Sequence, residues 1–264
     1  MSSILRPSPA DMTRRIIVMA TAVFAILVPQ VQMGLGLGQS AAEFASDSDA
    51  TLRVIGWAFA IWGVIYLGIA AYAIRQALPR TGESDTLKAF GWPSVVVFAG
   101  IGLWIIAAAL DWEVATIVLI FGSLTVLLIP LLTQAGSIRA LGLGDRDRWF
   151  TVWPLALLAG WLTVAAPVNL ITVATGNGDL PTMGSPTLWA ALAVALVGIV
   201  AVAVTWRIRT IAYCLPIVWG LVGVFVAEQS RNGALAFTAA IVAVAVLVAS
   251  VVVVLAWRRR IERA

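Results

Sequence analysis

Apolar residues in this chain fall into eight runs separated by short polar segments. The runs read Ile16–Leu37, Ile55–Ile74, Trp92–Leu110, Val114–Gln134, Phe150–Thr175, Leu188–Trp206, Ile211–Ala227 and Ala234–Trp257. Each is near the ~20 residues a helix needs to cross the ~30 Å hydrocarbon layer of a bilayer. Only Asp111-Trp112-Glu113 separates the third run from the fourth. Two acids so close together are costly at mid-bilayer, so they mark a tight turn at the membrane surface. Gly176–Pro186 carries Gly, Asn and Pro and reads as a loop. The pattern predicts an all-α integral membrane protein with eight transmembrane helices.

Composition agrees. The chain is 61% hydrophobic and only 11% charged, with mean hydropathy +1.00. A soluble domain is nearer about half apolar and about a quarter charged. Membrane lipid is therefore the expected surrounding of most of its surface.

Charge then orients the helices. With the N-terminus inside, fifteen of the 17 basic residues fall on inner segments, and only Arg53 and Arg231 fall outside. Basic residues concentrate on the cytoplasmic side of membrane proteins, so both termini are expected in the cytoplasm. This distribution also accounts for the net charge of +4 without any nucleic acid partner. Arg258, Arg259, Arg260 and Arg263 anchor the C-terminal end and face anionic lipid, at about 1 kcal/mol per residue near the surface. The first run is long for a cleaved signal and carries Gln30 and Gln32, so it is expected to remain as a span. No Ser-rich, acid-poor transit peptide is visible, and a bacterial plasma (inner) membrane is the expected location.

Chemistry is bounded by what is missing. There is no His and a single Cys, Cys214. An intrachain disulfide, a Cys/His zinc site, a Ser-His-Asp triad and bis-His haem ligation are excluded. No nucleophile motif or mid-span acid pair replaces them. The chain is expected to be no enzyme and to hold no cofactor.

Polar and aromatic residues are uneven along the spans. The first five carry Gln30, Gln32, Tyr66, Ser123, Thr125, Thr163, Asn169 and Thr172 and most of the Trp residues, whereas the sixth and eighth are mainly Ala, Val, Leu and Ile. This divides the chain into a cytoplasmic N-terminus at 1–15, a five-helix unit at 16–176, a three-helix extension at 177–257 and a basic tail at 258–264. Gly34-Leu-Gly36-Leu-Gly38 holds a GxxxG spacing at a span end. It fits either a helix seam for a homodimer or a fraying turn.

Of 12 Trp residues, Trp92, Trp112, Trp149, Trp189, Trp206 and Trp257 lie at span ends, where indoles anchor in the headgroup region. Trp62, Trp104, Trp153, Trp161 and Trp219 lie deeper, and Trp57 stands near an outer end. A deep indole N–H wants a partner. Deep Trp residues serve either helix packing or the wall of a cavity for a flat ligand.

The second span reads Trp57-Ala-Phe-Ala-Ile-Trp62-Gly63-Val-Ile-Tyr66, with Tyr72 beyond. The third carries Trp104, and the fifth has Trp161 and Asn169 eight apart, about two turns along one face. These elements, in order, resemble the tryptophan-rich sensory protein family, also called the TspO, translocator protein or peripheral benzodiazepine receptor family. They match its second-helix W…WGxxY, its third-helix Trp and its last-helix W-x7-N. The resemblance covers roughly Arg14 to Thr175. It departs in two places: Thr51–Gly56 lacks the family's W-x-P-P element, and Ile101 and Gly102 stand where a third-helix Asn is usual.

The resemblance implies binding of a hydrophobic planar ligand, such as a tetrapyrrole or sterol, with sensory or regulatory output. Gly38–Val54 falls where the family has its capping loop. The candidate ligand-binding residues are Trp62, Tyr66, Trp104 and Trp161 as a cage, Trp57 beside it, and Asn169, Gln30 and Gln32 as hydrogen-bonding groups. Interhelical bonding is the competing use of the three amides. The rival function is an uncoupled carrier of neutral lipid-like molecules, because no charged residue lies mid-span to couple an ion.

Overall fold

The computed structural model describes residues 9–46, 51–78 and 84–261, and among these the chain is helical with no strand. Arg6, Arg80 and Arg263 of the charge count lie outside the described residues, as do the side chains of Arg258 and Arg260. Among the described residues eight helices are long and apolar enough to cross a membrane, which makes the chain a multi-pass membrane protein.

α1 is Pro9–Leu35. A short α2, Ala41–Phe44, lies in the loop that follows. A 3-10 turn, Gly56–Ala60, leads into α3, Ile61–Ala77. α4 is Asp85–Ala109, α5 is Glu113–Thr133 and α6 is a short Ala135–Ala140. A single π turn, Arg148–Val152, opens α7, Trp153–Gly176. α8 is Pro186–Ile208, α9 is Cys214–Glu228 and α10 is Gly233–Ile261.

The expected turn at Asp111 is present. Asp111 has a φ of 56°, in the left-handed region, and α5 starts two residues later. Boundaries shift elsewhere. α4 begins at Asp85, not Trp92, because Ser84 caps it by accepting from the Leu87 amide at 3.1 Å. α1 ends at Leu35, and Gly36 and Gly38 both have positive φ. Gly34 is therefore in the last turn of the helix and Gly36–Gly38 in the turn beyond it, so the GxxxG spacing does not lie along one helix. Gly38 is needed there, since a Cβ would stand 2.1 Å from the Ala109 carbonyl oxygen.

α7 is the central helix: 78% of its most apolar stretch is buried, against 28% for α1. It packs on α3, α5, α8 and α9. α1 covers α3 and α4 from outside, and α10 closes over α8 and α9. One continuous core runs from Val18 on α1 through Leu158 on α7 to Val246 on α10. The last three helices thus share their core with the first five.

Close approach of α7 and α9 depends on Gly160. A Cβ there would sit 2.0 Å from the Tyr213 carbonyl oxygen and 2.7 Å from Pro216 Cγ. Beside it, the Thr163 and Tyr213 hydroxyls share a buried hydrogen bond of 2.6 Å. On the basic face, Arg75 donates to Asp147 at 2.8 Å, and Ser84 also donates to that carboxylate, tying α3 to the segment before α7.

Gly160→Ala should destabilise the fold by about 1–3 kcal/mol, the usual cost of overpacking a tight core. Gly122→Ala, where a Cβ meets nothing within 4 Å, should be neutral or gain up to about 1 kcal/mol of helix propensity. Unfolding of both variants in detergent micelles, each against the parent chain, checks the contrast.

Candidate functional site

A cavity of about 50 Å³ lies between α3, α4, α5 and α7. α3 contributes Trp62, and Phe59 enters from the 3-10 turn before it. α4 contributes Ile101 and Trp104, α5 contributes Ile120 and Ser123, and α7 contributes Trp161, Val168 and Asn169. Phe44 and Ala45, from α2 and its end, close it on the face opposite the arginines.

The walls are aromatic and edge-packed. Trp161 is 2% exposed. Its ring meets Trp62 at 6.4 Å and Phe59 at 5.8 Å, both nearly perpendicular. Trp62 stacks on Tyr66 at 5.2 Å and 26°. Edge-to-face contacts align a ring edge with a neighbour's electron-rich face and fix ring orientation.

Two polar groups of this wall, on Trp104 and Asn169, start a directed chain that runs on behind it. Trp104 Nε1 donates to Asn169 Oδ1 at 3.0 Å. Asn169 Nδ2 donates to Thr116 Oγ1 at 3.0 Å, and the Thr116 hydroxyl donates to the Glu113 carbonyl at 2.6 Å. Every step runs from donor to acceptor, so α4, α7 and α5 are tied together in sequence. Asn169 is 4% exposed and keeps a second amide hydrogen and a second lone pair.

Phe44 separates the cavity from a polar vestibule lined by Asp111, Glu113, Thr172 and Asn177. Its ring meets Trp104 edge-on at 5.7 Å and packs with Ala108 and Val173. A capping box holds α2: Ser40 N donates to Glu43 Oε2 at 2.7 Å, and Glu43 N donates to Ser40 Oγ at 3.3 Å. The Ser40 amide, and then its hydroxyl, hold the Glu43 carboxyl below the ordinary glutamate range.

The structure brings together Trp62, Trp104, Trp161 and Asn169 around one cavity. Tyr66 stands behind Trp62, not on the wall. Trp57 is 45% exposed and packs on Trp219 at 4.9 Å. Gln30 is exposed on α1, which does not reach the cavity. Gln32 pins the turn that follows α1 instead, donating to the Leu37 carbonyl at 2.7 Å and the Gln39 carbonyl at 3.1 Å. A buried amide beside a turn bonds the carbonyls that the turn leaves unpaired. Phe44 and Thr116 escaped the reading of the sequence. Phe44 is a lone aromatic in a polar loop, and Thr116 is an ordinary span residue until Asn169 faces it.

Eight helices of membrane-crossing length, four of them enclosing a Trp-walled, loop-capped cavity, are those of a multi-pass membrane protein. A model of the TSPO-like protein family matches residues 15–253, and the chain belongs to that family. The match runs through all eight spans rather than ending with the fifth. Neither the curated proteins nor the solved structures include a match.

Asn169→Leu should cost about 1–3 kcal/mol, because it leaves the Trp104 indole N–H unpaired in an apolar wall. A double-mutant cycle with Trp104→Phe should give a coupling of about 0.6–2 kcal/mol, read from unfolding in micelles. Additive losses would mean that the bond contributes nothing.

Proposed function

We propose that the protein binds a hydrophobic planar ligand, such as a tetrapyrrole or sterol, in the Trp62–Trp104–Trp161 cavity and relays its presence as a sensor, with no catalysis of its own. The observation that carries this reading is the convergence of three deep Trp residues and one buried Asn on a cavity whose cover is a separate loop helix. Flat apolar ligands gain most from indole faces, and the remaining hydrogen-bonding capacity of Asn169 orients one polar substituent. Family membership supports the same class of ligand.

Ligand sites for drug-sized molecules usually hold about 300–1,000 Å³. A cavity of about 50 Å³ must therefore widen to take one. The movable part is α2, four residues held by a solvent-exposed capping box and by the Phe44 ring. In this reading Phe44 swings from Trp104, the vestibule at Asp111 and Glu113 becomes the entrance, and the Trp walls close on the ligand. The fifteen-to-two distribution of basic residues supports a cytoplasmic location for both termini. The expected setting is a bacterial plasma membrane.

Titration with protoporphyrin IX in nanodiscs, followed by Trp fluorescence, tests the reading. Saturable quenching at low micromolar ligand, lost in Trp62→Ala plus Trp161→Ala, is the expected result. Linear quenching, equal in both proteins, means partition into lipid and moves the neutral-carrier function to the front.

Phe44→Ala should raise the association rate several-fold in stopped-flow mixing. Acid should act in the same direction. Because the folded Glu43 value is depressed, its cap contributes fully above the ordinary glutamate range and is lost as pH falls through the folded value. Association should therefore be flat near neutrality and quicken only in acid, and Glu43→Gln should remove that acid step.

A further inference from the structure

A second cavity, of about 240 Å³, lies on the opposite, basic face, between α6, the π turn before α7, and the ends of α8 and α10. Among the described residues, three guanidiniums line it, those of Arg139, Arg148 and Arg209, and no lining residue is acidic. Backbone carbonyls aim them. Arg139 donates to the Arg207 carbonyl at 2.8 Å, and Arg148 to the Leu141 carbonyl at 3.0 Å. Arg209 donates to the Val253 carbonyl at 3.4 Å.

Two indoles hold the arginines, and one of them, Trp257, lines the cavity. Arg139 lies 5.7 Å from the Trp257 ring centre, and Arg209 lies 5.2 Å from Trp206 and 5.7 Å from Trp257. Arg209 reaches this place from a left-handed backbone, with φ 57° and ψ 35°, which non-glycine residues seldom adopt. Thr210 also lines the cavity. It is 3% exposed, and its hydroxyl has no hydrogen-bond partner. A buried hydroxyl of this kind calls for a missing acceptor or donor. Converging guanidiniums match the oxygens of a phosphate.

An apolar groove lies beside it. Trp206, whose ring Arg209 faces at 5.2 Å, bounds this groove of about 580 Å³ between α8 and α10. Gly198, Val202 and Ala203 form one side of it and Val242 and Ala245 the other. A free phosphate has no use for this groove, whereas an acyl chain fits it.

We infer that this is a binding site for one anionic phospholipid, with its phosphate among Arg139, Arg148, Arg209 and Thr210 and an acyl chain along the α8–α10 groove. Indoles at this depth and basic residues at the same level are the usual features of a headgroup region. What marks a site here is the arrangement of the arginines around one open-mouthed cavity, beyond their number on that face. It is separate from the Trp cavity and does not depend on the function proposed there.

Native mass spectrometry of the full chain in detergent micelles, titrated with phosphatidylglycerol or phosphatidylcholine of identical acyl chains, tests it. The expected result is one phosphatidylglycerol held at least tenfold more tightly than phosphatidylcholine. Arg139→Gln plus Arg209→Gln should erase that preference. Arg207→Gln plus Arg259→Gln, which removes equal charge from the same face outside the cavity, should keep it. Ala203→Trp should weaken phosphatidylglycerol about tenfold by filling the groove. Equal binding of the two lipids overturns the inference, as does equal loss in both charge-deleted pairs. Displacement of the lipid by equimolar glycerol phosphate would reduce the site to a free-anion site and overturn the lipid assignment. If Arg139→Gln plus Arg209→Gln fails to fold, the unaltered chain's comparison of the two lipids decides alone.

Discussion

A helix surrounded by other helices gains nothing from contact with lipid, so it must hold its neighbours by close packing and hydrogen bonds. α7 is in that position. Its contacts with α9 require Gly160, which lets the helix approach to within touch of the Tyr213 carbonyl. Its contacts with α4 and α5 pass through Asn169, which accepts from Trp104 and donates to Thr116. Between these two anchors the Trp161 ring lines the aromatic cavity, edge-on to Trp62. The tight contact with α9 and the polar bonds to α4 and α5 are two consequences of the central place of α7.

Much of this was legible because lipid leaves few solutions. Apolar runs of span length must be helices, and an acid pair between two of them must be a turn. Trp62, Trp104, Trp161 and Asn169 of the second, third and fifth spans met around one cavity, as the family resemblance implied. What failed was assignment by polarity alone. Gln30 and Gln32 look like site groups in an apolar run, yet they lie near a helix end. There, one faces out and the other satisfies the carbonyls of the turn. Phe44 was illegible for the converse reason, since nothing in a polar loop announces which aromatic will fold back onto a Trp. The start of α4 was set seven residues late because Asp85 and Lys88 mask a helical turn that stands at the membrane surface rather than in it.

The two faces of the bundle are built differently. On the vestibule side the polar groups are mainly acids and amides, held by exposed bonds such as Asn177 to Glu113 at 2.7 Å and Gln39 to Asp111 at 3.3 Å. Exposed hydrogen bonds of this kind exchange readily with water, so this side is suited to opening. The opposite side is held by the partly buried Arg75–Asp147 pair and by guanidiniums pressed on indoles. Such contacts exchange less readily with water. This asymmetry suits the opening on the vestibule side that the proposed function requires.

The last three helices bear on the departure before the second span. The chain entering α3 has no proline to stiffen it, since Thr51–Gly56 contains none. α9 constrains it from outside instead. The Ile55 amide donates to the Gly223 carbonyl at 3.2 Å, and Trp219 Nε1 donates to the Ala58 carbonyl at 2.7 Å. Gly223 lets the two segments meet, because a Cβ there would stand 2.9 Å from that of Ala58. Phe59, one residue on, then packs its ring on Trp161 in the cavity wall. A proline restricts the chain by covalent geometry, and here a packed helix and two hydrogen bonds restrict the same stretch. The extension therefore reaches the candidate site through the segment that sets Phe59 and Trp62. This is a physical reason for the family match to run on to residue 253.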